Sequence, residues 1–401
     1  MILLSLIALF SIVSARIDDP EVNMTAPEII RYWGYPSEEH FATTQDGYIL
    51  GLHRIPRGRT DSMENSCRPV VFMQHGLESD SINWIANLPD ESAGFLFADA
   101  GFDVWLGNMR GNTYSKNHTN FTVNDEKFWE FSWDEMQLFD LPAMIDYVHA
   151  ATNQTSLYYI GHSQGTLTMF SRLSLDPQFG SKIRKFFALA PIGTVKYSKG
   201  FLPLFSQNFI NELELFEDLF GSGEFLGNDG IVSLIAKWLC DDIEGDKICD
   251  SMIFLISGPE TTSQFNATRT EVYIAHDPAG TSSQNMLHWM QMFVAGTVTR
   301  FDYGSARKNT QHYGTAIPPS YNFTTVATDM YLYWSDDDFL ADPQDFTELL
   351  LPMLNREYVK VNSHLTGFSH LDFIWGLDAA SIIYNSIIEI IKDDLGGNIK
   401  R

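Results

Sequence analysis

The chain has 401 residues, with 51 acidic against 26 basic side chains and a formal charge of −25. A composition 44% apolar and only 19% charged excludes wholesale disorder, and the length allows one large domain or two ordinary ones with a full hydrophobic core. A pI near 4.6 argues against nucleic acid as a partner, because phosphates demand clustered Lys and Arg, and it disfavours strongly anionic membranes. Neutral lipids and small molecules stay open, and aromatics at 13% of the chain provide for a large apolar core and an apolar binding surface.

Met1 to Ala15 carries no charged side chain, ends in Val13-Ser14-Ala15 and is followed by Arg16-Ile17-Asp18-Asp19. Small residues at its end, and a length short of the roughly 20 residues that span a bilayer, predict a cleaved secretory signal. No later uncharged run is long enough for a transmembrane segment. Asn-x-Ser/Thr sequons at Asn23, Asn117, Asn120, Asn153, Asn266 and Asn322 agree with the secretory pathway and are candidate glycosylation sites. The three cysteines fit an oxidising compartment better than a metal site, since no Cys/His grouping has the paired spacing of zinc ligands. A Cys240–Cys249 bridge would close a loop of about ten residues and contribute about 2.5–3 kcal/mol, leaving Cys67 as the odd thiol.

Phe41 to Ile55 reads as a hairpin turning at Asp46-Gly47. Pro69 to Gln74 is a buried strand stopping at His75-Gly76, and Phe102 to Leu106 is another. Ser132-Trp133-Asp134-Glu135 is a capping box opening a helix towards His149, with a bend expected at Pro142. Leu157 to Ile160 is a third strand, Thr166 to Leu173 a helix and Lys185 to Ala190 a fourth strand. Met330 to Trp334 and Tyr358 to Val361 are two more, and Ala379 to Ile391 is a closing amphipathic helix. Strands alternating with helices predict a mainly parallel α/β sheet covered on both faces.

The interval 196–322 breaks that alternation. Phe201, Leu202, Phe205, Phe209, Ile210, Leu213, Leu215, Phe216, Leu219 and Phe220 recur mostly at helical spacing, and Gln284 to Val294 forms a second helical piece. A helical insertion over the sheet is expected. The chain then divides into a signal (1–15), a core segment (16–195), the insertion (196–322) and a returning core segment (323–401).

Gly161-His162-Ser163-Gln164-Gly165 is a G-x-S-x-G sequence, weak as a string and strong in its place between a strand and a helix. There it makes a nucleophile elbow, a sharp turn exposing Ser163 Oγ, with glycines where side chains would clash. A serine hydroxyl needs a histidine base and an orienting carboxylate, which should follow it in the order acid, then base. His370 lies on a polar turn beyond a late strand, with His364 as competitor. Asp336, Asp337 and Asp338 follow the strand before it, and Asp342 is a fourth candidate acid. Backbone donors for an oxyanion are expected from Gln164, after the nucleophile, and from Leu77, in the loop after an early strand.

Gly161 to Gly165, His75-Gly76-Leu77, Gly107-Asn108-Met109-Arg110-Gly111-Asn112 and His370-Leu371-Asp372-Phe373-Ile374-Trp375 together resemble the acid lipases, the gastric and lysosomal group. Gly34 to Glu39, Asp46 to Leu50 and the insertion string His276 to Ser282 with His288-Trp289 are similar to that family too, and the resemblance covers essentially the whole mature chain. It implies an α/β-hydrolase fold with a helical cap or lid, Ser163 as nucleophile, His370 as base, and Leu77 with Gln164 as oxyanion donors. Counted back from Leu340-Ala341-Asp342-Pro343, it places the acid at Asp338, and it matches the paired cysteines to the family's disulfide. The implied reaction is hydrolysis of neutral-lipid esters at a lipid–water interface, without metal or organic cofactor, in the lysosome or outside the cell. A secreted esterase of small soluble esters and a catalytically silent lipid carrier are the rival readings. One departure stands out: where the family often has a glycine pair and a non-acidic residue before the acid, this chain has Ser335, Asp336 and Asp337. That extra charge is expected to raise the pKa of His370 and to oppose its action as base at low pH.

Overall fold

The computed structural model describes residues 19–61, 67–200, 202–203, 206, 223–225 and 263–396. The signal stretch, Cys240, Cys249 and most of the Phe201 to Phe220 run lie outside the described residues; within that run Leu202 is buried.

Among the described residues, nine strands form one sheet: β1 (Glu38–Thr43), β2 (Tyr48–Ile55), β3 (Val70–Gln74), β4 (Asp103–Gly107), β5 (Asn117–His118), β6 (Leu157–His162), β7 (Ile183–Leu189), β8 (Met330–Ser335) and β9 (Val359–Leu365). Their order is β1-β2-β4-β3-β6-β7-β8-β9, with β5 paired to β2. From β4 to β9 every pairing is parallel, whereas β1, β2 and β5 join antiparallel. Helices cover both sides of the sheet.

The sequence pattern follows position in the sheet. Every residue of β3, β4 and β6 is buried, as unbroken apolar runs of central parallel strands require. The edge strands β1 and β9 instead alternate buried or half-buried with exposed positions, which keeps unpaired sheet edges polar. The expected hairpin is β1–β2, with Gly47 at φ +104° in its turn. The short strand β5 and the helices Ala26–Tyr32 and Ala93–Asp99 carry no sequence expectation.

The chain runs from β3 outward to β4, then returns to the other flank of β3 to lay down β6 and continue towards β9. The direction of winding therefore reverses between β3 and β6, and a crevice opens at the carboxyl ends of strands flanking such a reversal. The capping box at Ser132 is present, with the Ser132 amide donating to Glu135 Oε2 at 2.7 Å. The expected bend at Pro142 takes the form of a π-helical turn, Met136–Asp140, immediately before the helix Leu141–Thr152. Proline offers no N–H, and the wider turn lets the chain continue past it. Between β7 and β8 lie the helices Thr270–His276, Ser283–Ala295 and Ala306–Tyr313, which contain the expected Gln284 to Val294 piece.

One buried ion network ties the hairpin turn to the core. Arg110 is 1% exposed and Asp140 fully buried; Arg110 Nε donates to Asp140 Oδ1 at 2.8 Å, and Nη1 donates to Asp46 Oδ2 at 2.7 Å. The guanidinium also lies 3.9 Å from the centre of the Tyr48 ring. Burial raises the Asp140 carboxyl to about 6 despite the arginine beside it. Removing the cation would strand a buried carboxylate, so Arg110→Met is expected to cost about 3–5 kcal/mol in urea unfolding, with part recovered in Arg110→Met/Asp140→Asn.

Candidate active site

Ser163 occupies the turn between β6 and the helix Gln164–Leu175, with φ +53° and ψ −120°. A non-glycine residue rarely adopts that conformation, which costs on the order of 1–3 kcal/mol and needs surrounding structure to hold it. The flanking glycines show why it is possible. A Cβ on Gly161 would meet the Gly165 carbonyl oxygen at 2.8 Å, and one on Gly165 would meet the Gln74 oxygen at 2.5 Å. The Ser163 amide donates to the Leu189 carbonyl at 3.1 Å, anchoring the turn to the end of β7. Ser163 Oγ is buried and completes no hydrogen bond among the described residues.

Gly76, just past β3, packs directly on the elbow: a Cβ there would stand 3.1 Å from Ser163 Cβ and 3.5 Å from Oγ. Its loop is shaped by His75, whose Nδ1 donates to the Gly76 carbonyl at 2.8 Å. His75 Nε2 accepts from the Met109 amide at 3.1 Å and lies 3.2 Å from Asn112 Nδ2. Burial lowers the His75 pKa to about 4, so the ring is neutral and can accept on one side while donating on the other. The Gly107 to Asn112 string thus receives the His75 ring and fixes the loop leading to Leu77. Gln164 opens the elbow helix, where first-turn amides lack intrahelical acceptors.

The candidate acid and base arrive from the far half of the sheet. His370, beyond β9, places Nδ1 2.9 Å from Asp338 Oδ2 and 3.0 Å from Oδ1. Asp338, beyond β8, is 1% exposed, and its Oδ1 also accepts from the amides of Leu340 and Ala341 at 2.9 and 2.8 Å. The other candidates go elsewhere. Asp336 pairs with His364 at 2.7 Å on the exposed side of the loop, Asp337 Oδ2 accepts from the Gly367 amide, and Asp342 pairs with Lys199 at 2.8 Å. The two extra carboxylates before Asp338 thus have partners of their own.

Ser163 and His370 line one cavity together with Gly76, Leu77, Leu340, Leu371 and Trp375. Glu78, Ser79, Asp277 and Pro278 join that lining, and none of them was expected as a site residue. Glu78 is 5% exposed with φ +58°, and burial, then Glu224, raises its carboxyl to about 8. Burial raises Asp80 to about 7 and, with Asp80 and Glu78 adding to it, lifts Asp277 well above the carboxylate range. His162 was also missed: its Nε2 donates to the His370 carbonyl at 2.9 Å, and burial lowers its pKa well below the usual value. The neutral ring next to Ser163 holds the backbone of His370.

Cys67 is an exposed free thiol, while the other two cysteines lie outside the described residues. Asn23, Asn117, Asn120, Asn153 and Asn322 are exposed. Asn266 differs from the other sequons: it is 8% exposed, and its Nδ2 donates to Glu91 Oε2 at 3.0 Å and faces Asn87 Oδ1. A glycan on that nitrogen would break these bonds. Among the described residues there is no cluster of His, Cys, Asp and Glu suited to a metal ion, and no helix is long and apolar enough to cross a membrane.

Comparison with known proteins bears on this geometry. The family described as alpha/beta hydrolase fold matches residues 69–349, and one described as partial alpha/beta-hydrolase lipase region matches residues 26–88. The chain is 54% identical to lipase lipl-1 of Caenorhabditis elegans, over 98% of each chain. It is 43% identical to gastric triacylglycerol lipase of Bos taurus (94% of this chain, 93% of that one) and 42% identical to human lysosomal acid lipase/cholesteryl ester hydrolase (93% and 92%). Among solved structures, the epoxide hydrolase VrEH1 of Vigna radiata superposes with a TM-score of 0.51 at 14% identity, covering 89% of this chain and 98% of that one, which speaks for the fold alone. The chain belongs to the acid lipase family, carboxylic-ester hydrolases of the α/β-hydrolase fold.

Proposed function

We propose that this protein is a serine lipase that hydrolyses carboxylic esters of neutral lipids, triacylglycerols or sterol esters, through an acyl-enzyme. The observation that carries the reading is the Asp338–His370 hydrogen bond, at 2.9 Å, delivered to the cavity that Ser163 lines. The relatives named as triacylglycerol lipase and cholesteryl ester hydrolase support the substrate class.

In this cycle Ser163 Oγ attacks the ester carbonyl as His370 Nε2 takes its proton. Asp338 accepts from Nδ1–H, which fixes the tautomer and leaves Nε2 free to act. Charge on the former carbonyl oxygen is met by the amides of Leu77 and Gln164. Collapse breaks the bond to the alcohol, which leaves with the proton from His370. Water, deprotonated by the same imidazole, then attacks the acyl-enzyme and releases the fatty acid while Ser163 regains its proton. The 196–322 insertion serves as cap and lid, and long acyl chains bind through burial worth roughly 0.8 kcal/mol per methylene. The signal stretch and the sequons support a place in the secretory pathway, in the lysosome or outside the cell.

Turnover of emulsified triolein and cholesteryl oleate should exceed that of a soluble butyrate ester at equal ester concentration. Activity confined to the butyrate ester overturns the lipase assignment in favour of a small-ester esterase.

A further inference from the structure

Gln164 faces two ways. Its backbone amide begins the elbow helix beside Ser163, while its side chain reaches into the insertion. There Gln164 Oε1 accepts from Asn285 Nδ2 at 3.0 Å and from Trp289 Nε1 at 2.8 Å. Two N–H donors on one atom identify it as the carboxamide oxygen, and they use both of its lone pairs. Asn285 and Trp289 are fully buried and Gln164 is 3% exposed. The two donors stand one turn apart on the helix Ser283–Ala295, on the same face.

That helix is itself held firmly. The Trp133 amide donates to Asn285 Oδ1 at 2.8 Å, and Asn285 Nδ2 also reaches Thr281 Oγ1 at 3.0 Å. Next along the helix, His288 stacks on Trp133 with ring centres 4.3 Å apart and accepts or donates to Ser132 Oγ at 3.0 Å. The clamp on Gln164 is therefore rigid from behind.

The peptide joining Ser163 to Gln164 carries the N–H assigned to the oxyanion. Its plane is set by ψ of Ser163 and φ of Gln164, and Ser163 is in a strained conformation. The carbonyl of that peptide accepts from the Thr166 amide at 2.8 Å and from Thr166 Oγ1 at 2.7 Å within the elbow helix, and the Gln164 side chain ties the same residue to the insertion helix. We infer that Asn285 and Trp289 are positioning residues, which fix the Gln164 side chain and through it the direction of the Gln164 amide, so that the insertion helix aligns the oxyanion hole. The inference rests on the proposed reading of Ser163 as nucleophile and of the Gln164 amide as oxyanion donor.

Trp289→Phe keeps the ring in the core and deletes one donor; Gln164→Met keeps the length of the side chain and deletes the acceptor. With p-nitrophenyl butyrate, each should lower kcat about tenfold with KM within about twofold, because misaligning one oxyanion donor costs less than the 10²–10³ of removing it. The ester-to-thionoester rate ratio should fall in both variants, since sulfur is a poor acceptor and gains little from an aligned hole to begin with. The double variant should be no slower than the slower single one, as expected for two ends of one contact. Wild-type kcat in Trp289→Phe, a loss that leaves the thionoester ratio unchanged, or additive losses would overturn the inference. Failure of a fluorophosphonate to label the wild type overturns the nucleophile assignment and the inference with it, whereas a labelled wild type with unaltered variants overturns the inference alone.

Discussion

Ser163→Ala is expected to lower ester hydrolysis by about 10⁴-fold or more and to abolish labelling by a fluorophosphonate. The methyl group left at the elbow cannot form the acyl-enzyme, so any residual rate must come from water acting in a cavity that still binds substrate. His370→Ala should fall to a similar level, and Ser163→Ala/His370→Ala should be no slower than either alone, because the two groups act as one unit. Asp338→Asn is a separate test of orientation. Its amide could accept from His370 Nδ1–H through the oxygen or donate to Nδ1 through the nitrogen, and the Leu340 and Ala341 amides already claim the oxygen on Oδ1. The nitrogen then faces Nδ1, the imidazole carries its proton on Nε2, and its basicity towards Ser163 is lost, at about 10⁴-fold in kcat. His364→Ala discriminates between the two late histidines. His364 stacks on Trp334 and pairs with exposed Asp336, so its removal should leave kcat within about twofold. Labelling of Ser163→Ala at the wild-type rate, or a collapse of activity in His364→Ala with His370→Ala intact, would defeat the assignment.

Legibility in the sequence followed the range of the interactions. The central strands announced themselves because burial on both faces demands unbroken apolar runs, as at Val70 to Gln74, and the elbow because its glycines sit where a Cβ would strike backbone. Strand β9 was legible only in its first residues: its sequence Val-Lys-Val-Asn-Ser-His-Leu alternates, as an edge permits, and the polar half reads as loop. The carboxylate choice among Asp336, Asp337 and Asp338 could not be made from residue chemistry, because a loop has no period and three adjacent acids differ only in where the chain aims them. Family resemblance singled out Asp338, and the coordinates bring that carboxylate onto His370. The groups passed over were those whose partners are remote in the chain. His162 meets the His370 carbonyl 208 positions away, and Trp289 meets Gln164 across 125. The same-face spacing of Asn285 and Trp289 was visible; the Gln164 oxygen waiting for them was not. Glu78, Asp80 and Asp277 carry no period or motif of their own that marks them as buried, and only the packing reveals that all three are.

Those three carboxyls are expected to make the protein less stable as pH rises from about 6.5 to 8. A carboxyl with a higher pKa folded than unfolded binds more protons in the native state between the two values, so stability falls as pH climbs through that window. For Glu78 the window runs from 4.5 to about 8, and for Asp80 from 3.8 to about 7. Asp277 shifts in the same direction. Burial is the main cause in each; around Glu78, Glu224 and Asp277 oppose ionisation, while the Gly280 amide and Lys116 favour it. Below about 6.5 the whole-protein slope is contested, because His53, His75 and His288 are buried with pKa values lowered to about 3, 4 and 3, and such groups cost stability as pH falls. A difference between variants isolates the carboxyl. Glu78→Gln keeps the shape and cannot ionise, so it should raise the unfolding free energy at pH 8 by about 2–4 kcal/mol relative to wild type and change it little at pH 4.5. Urea melts of both proteins at the two pH values measure this directly, and parallel pH dependences would show that Glu78 does not ionise against a penalty in the folded state.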